Sequence, residues 1–463
     1  MSNADKKSQE CPSFPIEETD FLKNKFLKKF IKSKWYPLVF QIPTAIVFTF
    51  IIVELLAGPS SPHDNFGTAM TWILWWPIIP IIFLLFGRFW CAVCPFGTLN
   101  DVIQKYVGSN KPVPKFLKKY GIWIIDATFI LITWSDHVFG IVESPRGSAV
   151  VLLLITTGVV VSGALWERRT WCRYLCFLGG VSGNYSRAGM LELKGTPEKC
   201  SKCKVAACYN GNEKAPGCPM FEFPRTMESV ANCNLCGHCV KSCPNDSIRI
   251  APRIPTKGLW FIGRAKIEES FLAAVIMGIV FVQNITMIDI WDGMLSKLEA
   301  MVGTDNYFVT FTITFIIAMS IPIAMLALTG YIAGNFKKES LVKNFARFGY
   351  SIIPLDVAGH IAHNLFHLLA EGKSIFYTAI GLFGIEPANP SMAIVDNMTI
   401  QVLQYILIAF GTIGSVYTAY RLTKSNPDKE NNTLRTFIPF AVLMIVFAVI
   451  NIYLFSVPME MRM

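Results

Sequence analysis

Polar residues divide this chain into nine long apolar runs and one long polar stretch. The apolar runs lie near 36–57, 69–87, 121–142, 148–166, 268–289, 306–333, 350–370, 399–420 and 436–456. Each approaches the roughly 18 to 20 residues that a helix needs to cross a bilayer. The pattern predicts an all-α polytopic membrane protein with about nine transmembrane helices. The polar stretch, 187–265, predicts a small α+β domain set into the membrane part. Four units follow: a basic tail (1–34), a four-helix membrane domain (35–186), the insert (187–265) and a five-helix membrane domain (266–463).

Composition supports the membrane reading. Of the 463 residues 52% are hydrophobic and 16% are charged, against about 25% charged in soluble domains. A large soluble protein with buried helices does not account for so many uncharged runs. Residues 1–22 are polar, and the first apolar run is long enough to remain as an anchor rather than a cleaved signal. Lys and Arg then set the orientation. "KNKFLKKFIKSK" (23–34) carries six lysines, whereas 58–68 carries no Lys or Arg. Arg88, Lys105, Lys111, Lys115, Lys118 and Lys119 return to the first side, and 143–147 holds only Arg146. Lys337, Lys338, Lys343 and Arg347, then Arg421, Lys424, Lys429 and Arg435, continue the alternation. The N-terminus and the insert are expected in the cytoplasm and the C-terminal tail outside. The net charge of +10 mostly reflects these flanks, which speaks against a nucleic-acid partner.

All thirteen cysteines fall on, or at the edge of, the side assigned to the cytoplasm, where thiols stay reduced. Metal or redox chemistry is the expectation. "CNLCGHCVKSCP" (233–244) is the C-x2-C-x2-C-x3-C-P run of bacterial ferredoxins. "CSKCKVAACYNGNEKAPGCP" (200–219) is a looser copy. In such runs three cysteines hold one cubane cluster and the fourth serves the other. Cys200, Cys203, Cys208 and Cys243 are therefore expected on one 4Fe–4S cluster, and Cys218, Cys233, Cys236 and Cys239 on a second. Four-cysteine zinc sites use two separated C-x2-C pairs, which this spacing fits badly. His238, inside the run, is read as a surface residue. Cys11 stands alone in a polar tail.

Four cysteines remain. "RFWCAVCPFG" (88–97) and "RRTWCRYLCFLGG" (168–180) share Arg-x-Trp-Cys, a second cysteine and a following glycine. Each copy ends an apolar run, so the first four spans read as two halves of a repeat. Cys91, Cys94, Cys172 and Cys176 would then meet at one membrane face. A redox-active thiol relay, a further metal or cluster site, and inert structural thiols all remain open for them.

On these motifs the region 35–255 resembles the membrane ferredoxins of the NapH, NosR and CcoG group. That group pairs two C-x3-C-P motifs at membrane-helix ends with a cytoplasmic two-cluster ferredoxin domain. Here the first motif, Cys91-x2-Cys94-Pro95, is one residue short, and Phe177 follows Cys176 where the group has proline. The resemblance implies an electron-transfer protein of a bacterial or archaeal cytoplasmic membrane. It would be linked to quinol and to other redox subunits or a cytochrome.

The C-terminal membrane half lies outside that resemblance. In "YSIIPLDVAGHIAHNLFHLLAEG" (350–372), Asp356, His360, His363 and His367 stand at i, i+4, i+7 and i+11 and share a helix face. Ionisable groups inside a membrane mark functional sites. A b-type haem, a quinone or proton site, a non-haem metal and a structural polar face are the readings for this helix. Gly359 would let a neighbouring helix or a macrocycle approach. His137 is the one other membrane histidine, and His63 is read as a surface residue. Pro322 and Pro354 interrupt two of the later spans. No G-x-G-x-x-G or covalent-haem C-x-x-C-H is present. The reading is electron transfer between a quinol or cytoplasmic donor and a membrane or extracytoplasmic acceptor. Redox-coupled proton or metal-ion transport, and electron supply during maturation of a metalloenzyme, are the alternatives.

Overall fold

A computed structural model describes residues 19–337, 339–385, 391–425 and 433–459. Cys11, Lys338 and Lys429 lie outside the described residues. Among the described residues eight helices are long and apolar enough to cross a membrane: Leu38–Ala57, Phe66–Phe86, Lys115–Phe139, Pro145–Leu165, Ile267–Ile285, Tyr307–Phe336, Asn397–Lys424 and Thr433–Ser456. Their ends follow from local chemistry. Asn65, Ser144 and Asp396 cap the free backbone N–H groups of three of them with side-chain oxygens. Gly140, at φ +58°, closes Lys115–Phe139 in the left-handed region that suits glycine.

The ninth predicted span is a helix too, Ile353–Ala370, but Asp356 and three histidines lower its apolarity, so eight spans rather than nine meet the length and hydropathy expected of a crossing helix. It is among the most enclosed elements, with Asp356, His360 and His363 all buried. Its neighbours supply the surface that lipid does not. Pro354 stands in its first turn, where a missing N–H costs nothing, so it starts this helix rather than interrupting it. Pro322 does lie inside its helix. Close packing on Asn397–Lys424 needs glycine: a Cβ on Gly411 would stand 2.4 Å from the Ala358 side chain. Gly359 receives Val280 of Ile267–Ile285, 3.3 Å from where its Cβ would be. Outer helices carry the lipid-facing surface; Ile42, Ile46, Phe50 and Val53 of Leu38–Ala57 are exposed.

The two predicted halves repeat the same path. After Phe66–Phe86 comes a five-residue helix, Phe89–Val93, then Cys94, then the twelve-residue helix Pro95–Tyr106. After Pro145–Leu165 comes a five-residue helix, Thr170–Tyr174, then a twelve-residue helix, Phe177–Ala188, with Cys176 as its cap residue.

The insert is held by strand Leu191–Gly195 pairing antiparallel with Ile248–Pro252, so its two ends meet. A two-residue hairpin, Gly211–Asn212 with Ala215–Pro216, lies between them. The basic segment before the first span docks on this domain. Lys28 and Lys32 of helix Lys25–Lys32 reach Asp246 at 2.5 and 2.6 Å. The Tyr36 hydroxyl donates to the Leu235 carbonyl at 2.6 Å, and Lys241 Nζ donates to the Tyr36 carbonyl at 2.5 Å.

Candidate iron–sulfur relay and membrane cavity

Of the four cysteines expected on one cluster, the first group, Cys208 lies within electrostatic reach of Cys243, Cys200 and Cys203. Of the other four, Cys239 lies within reach of Cys233, Cys236 and Cys218, and also of Cys208 from the first group. Burial, and then the neighbouring thiols, push Cys208 up to about 11. Such crowded thiols gain from a bound cation that stabilises their ionised forms. Ser247 joins the ends of the first group: its Oγ lies 3.3 Å from Cys200 Sγ and 3.2 Å from Cys243 Sγ, and its N–H donates to Cys243. Burial acts on Cys243 as well, but the bonds from Ser247 and the Asn245 backbone outweigh it and hold this thiol below its ordinary value.

Among the described residues no group of three or more His, Cys, Asp or Glu is set to hold a single metal ion. Zinc binds about 2.3 Å from each sulfur, which needs thiolates closer together than a cluster whose own atoms stand between them. The thiol donors of the insert suit iron–sulfur chemistry, and clusters held by them would supply one-electron transfer there. His238 departs from its expected place. It is partly enclosed, its Nδ1 has no partner among the described residues, and burial holds its ring down to about 4. His63 is exposed, as expected.

The four cysteines of the repeat do converge. Every pair among Cys91, Cys94, Cys172 and Cys176 is in electrostatic reach, and none forms a disulfide. Cys94 receives the backbone N–H groups of Phe96 and Gly97. Cys176 receives those of Leu178 and Gly179. Both are helix N-termini, where N–H groups and the helix dipole favour negative charge. The two repeat arginines are exchanged between halves: the Arg169 guanidinium packs on Gly97 and donates to the Cys91 carbonyl, while Arg88 Nη2 packs toward Gly179. The insert packs against the helix Phe89–Val93 between the first two of these cysteines. Cys236 packs against Ala92 and Val93, which lie between Cys91 and Cys94, and Arg88 donates to the Ala231 carbonyl at 2.7 Å.

On the other side lies an apolar cavity of about 150 Å³. Cys94 and Cys176 border it together with Trp72, Trp75, Trp76, Trp171 and Phe177, and it reaches His363, His367 and Asp136. Phe129 stacks on Phe177 with ring centroids 5.4 Å apart. The polar face of Ile353–Ala370 is split. His363 and His367 line the cavity, and their Nδ1 atoms meet Asn284 Oδ1 at 2.9 Å and Glu371 Oε2 at 3.3 Å. His360 lies beside it, with Nδ1 2.9 Å from the Tyr185 hydroxyl and its ring against Trp76. Asp356 does not line the cavity; its carboxylate is buried and has no hydrogen-bond partner among the described residues. His137 stands elsewhere, stacked on Phe311 and bonded to the Thr133 carbonyl. An apolar cavity of roughly this size takes up a single aromatic ring. It does not fit a haem, whose macrocycle is far larger.

Sequence reasoning missed the partners of these residues. Asn284, Glu371, Tyr185 and Ser247 come from other elements or turns, and no spacing announces them. The tryptophans of "TWILWW" (71–76) were a visible signal.

A family model described as a 4Fe-4S binding domain matches residues 68–119 and 148–191. These segments hold the two halves of the repeat and its four cysteines. The chain is 27% identical over 187 residues to "Putative electron transport protein YccM" of Escherichia coli (strain K12), covering 35% of this chain and 51% of that protein. The chain thus spans about half the length of this curated relative. No solved structure matches it. With the fold, these matches describe a polytopic helical membrane protein with two segments similar to a 4Fe-4S binding domain.

Proposed function

We propose that the protein exchanges electrons between the membrane quinone pool and two 4Fe–4S clusters of the insert, the latter on the cytoplasmic side. The observation that carries this reading is the cavity between Cys94–Cys176 and His363–His367. It is one ring in size, aromatic-lined, and polar at one end. A quinone headgroup has that shape: a flat ring with two oxygens that need hydrogen-bond or proton partners. His363, held by Asn284, and His367, held by Glu371, are the groups that would meet those oxygens. Histidine titrates in the range needed to pass a proton. Cys94 and Cys176 border the cavity, and Cys236 packs against Ala92 and Val93 beside Cys94. Electrons would therefore move by way of that contact to Cys218, Cys233, Cys236 and Cys239, then to Cys200, Cys203, Cys208 and Cys243. Partner redox proteins would meet the second of these groups, whose Cys203 is flanked by exposed Lys202 and Lys204.

Tryptophan fluorescence tests the site. A short-chain quinone analogue added to the protein in lipid nanodiscs should quench emission saturably, because Trp72, Trp75 and Trp76 line the cavity. Val151→Phe, which fills the cavity from its lining, should weaken that binding at least tenfold. Equal quenching in both proteins would remove the cavity from the account.

A further inference from the structure

A second cavity, of about 400 Å³, lies where the membrane helices meet the insert. The first turns of Lys115–Phe139 and Ile267–Ile285 bring Lys118, Lys119 and Lys266 to it. The repeat brings Arg88, Arg173 and Arg187, and the insert closes it with Phe221, Ala231 and Asn232. Carboxylates answer part of this charge. Glu269 pairs with Arg187 at 2.7 Å and Lys266 at 2.9 Å, and Glu167 reaches Lys118 and Arg173 only at 4.0 Å. Glu222 accepts a bond from Asn232 at 2.8 Å and acts on Lys266, Arg187 and Arg88 from a distance. Glu268 lines the space, with buried Asp126 near it. Six cations thus meet five carboxylates, and the unanswered one is Arg88. It is 2% exposed and forms no ion pair among the described residues. Its Nη1 donates to the neutral Ala231 carbonyl at 2.7 Å, while Nε and Nη2 have no hydrogen-bond partner. It faces the cavity beside two glycines: a Cβ on Gly179 would stand 3.5 Å from Nη2, and one on Gly183 would stand 4.0 Å from Nη1. Arg173 Nη1 is also buried without a hydrogen bond. Empty donor positions on a buried guanidinium are costly unless an acceptor fills them.

We propose that this cavity binds a phosphate group, carried by the headgroup of an anionic lipid or by free phosphate. Phosphate oxygens accept paired bonds from one edge of a guanidinium, and Nε with Nη2 is the edge that Arg88 leaves open. Basic pockets between spanning helices suit anionic headgroups. Ile122 and Leu272 line the same space, and Trp123, next to Ile122, is exposed, so an acyl chain has apolar surface to follow out of it. The bound phosphate would join Arg88 and the lysines of the span ends across the face where the insert packs, and so hold the insert on the membrane helices. The proposal does not rest on the quinone reading.

The test is thermal unfolding of the full-length protein in detergent, freed of lipid, at matched ionic strength. The probes are dioleoylphosphatidylglycerol, inorganic phosphate and dioleoylphosphatidylcholine. A ligand that binds only the folded state raises the melting temperature saturably. Phosphatidylglycerol or phosphate should do so, and phosphatidylcholine, whose choline cancels the phosphate charge, should not. A rise with phosphatidylglycerol alone assigns the lipid headgroup; a rise with inorganic phosphate as well assigns the free anion. Arg88→Gln should weaken the binding about tenfold or more. Lys118→Gln/Lys119→Gln, at exposed positions, should weaken it several-fold and serves as the test if the Arg88 variant does not fold. No saturable rise with either anion would overturn the proposal. So would an equal rise with phosphatidylcholine, or unaltered affinity in any variant that folds.

Discussion

Cys94 and Cys176 occupy equivalent places in the two halves of the repeat. Each is the residue before a twelve-residue helix, and each receives two backbone N–H groups from that helix's first turn. The equivalence is not complete at the glycines that follow. A Cβ on Gly179 would stand 2.6 Å from the Cys172 carbonyl oxygen, whereas one on Gly97 would stand 3.3 Å from the equivalent Cys91 carbonyl oxygen and 3.2 Å from the Arg169 side chain. Backbone cannot step aside as a side chain can. Gly179→Ala should therefore destabilise the protein by about 1–3 kcal/mol, and Gly97→Ala by less. Thermal unfolding in detergent measures the difference; equal melting temperatures would contradict the contact geometry.

The grouping of the insert cysteines makes a quantitative prediction. Cys236→Ala should lose about four of the irons of the two ferredoxin-type clusters and leave the set around Cys208 loaded. Full iron content in that variant would remove Cys236 from the ligand set.

Ser247 lies against both Cys200 and Cys243. Hydrogen bonds to cluster sulfurs are among the factors that set the reduction potential, and donors to thiolate stabilise the more negative, reduced state. Ser247→Ala should lower the potential of one cluster and leave the other where it was. A redox titration followed by electron paramagnetic resonance reads this, and an unmoved pair of midpoints would contradict it.

The basic helix Lys25–Lys32 is tied to the insert through Asp246, whose carboxyl the bonds from Lys28 and Lys32 hold down to about 2. A carboxylate with a lowered folded-state pKa contributes fully above its unfolded value of about 3.9 and loses that contribution as pH falls through the folded value. The tie should therefore be insensitive to pH around neutrality. It is exposed, so salt should weaken it. Asp246→Asn should speed amide exchange across 25–32 at neutral pH, with little effect on the cysteine groups.

Much of this was legible in the sequence. Each predicted apolar run is a helix, with ends shifted by a few residues, because length and apolarity decide that a segment is buried in lipid. The histidine helix was legible as polar and enclosed, but its division was not: whether His360 or His367 faces a cavity depends on Tyr185, Trp76 and Glu371, which packing brings near. His238 was read as a surface residue because cysteine filled every ligand position; its enclosure comes from the fold of the insert. The docking of Lys25–Lys32 was hidden by a second sufficient reason for lysines there, the flank of a membrane span. The exchange of Arg88 and Arg169 between halves is a tertiary relation that the repeat pattern alone does not contain.

The most direct test of the central claim is the reoxidation of reduced clusters by a quinone. The protein in nanodiscs is reduced with dithionite, freed of excess reductant, and mixed without oxygen with a short-chain quinone analogue while cluster absorbance is followed. The account predicts fast reoxidation that saturates with quinone concentration, slowed at least tenfold in Val151→Phe and in His363→Ala at unchanged iron content. Reoxidation that rises linearly with quinone and is the same in all three proteins would show that quinone meets the clusters by collision at the surface, and would contradict an exchange site in the cavity.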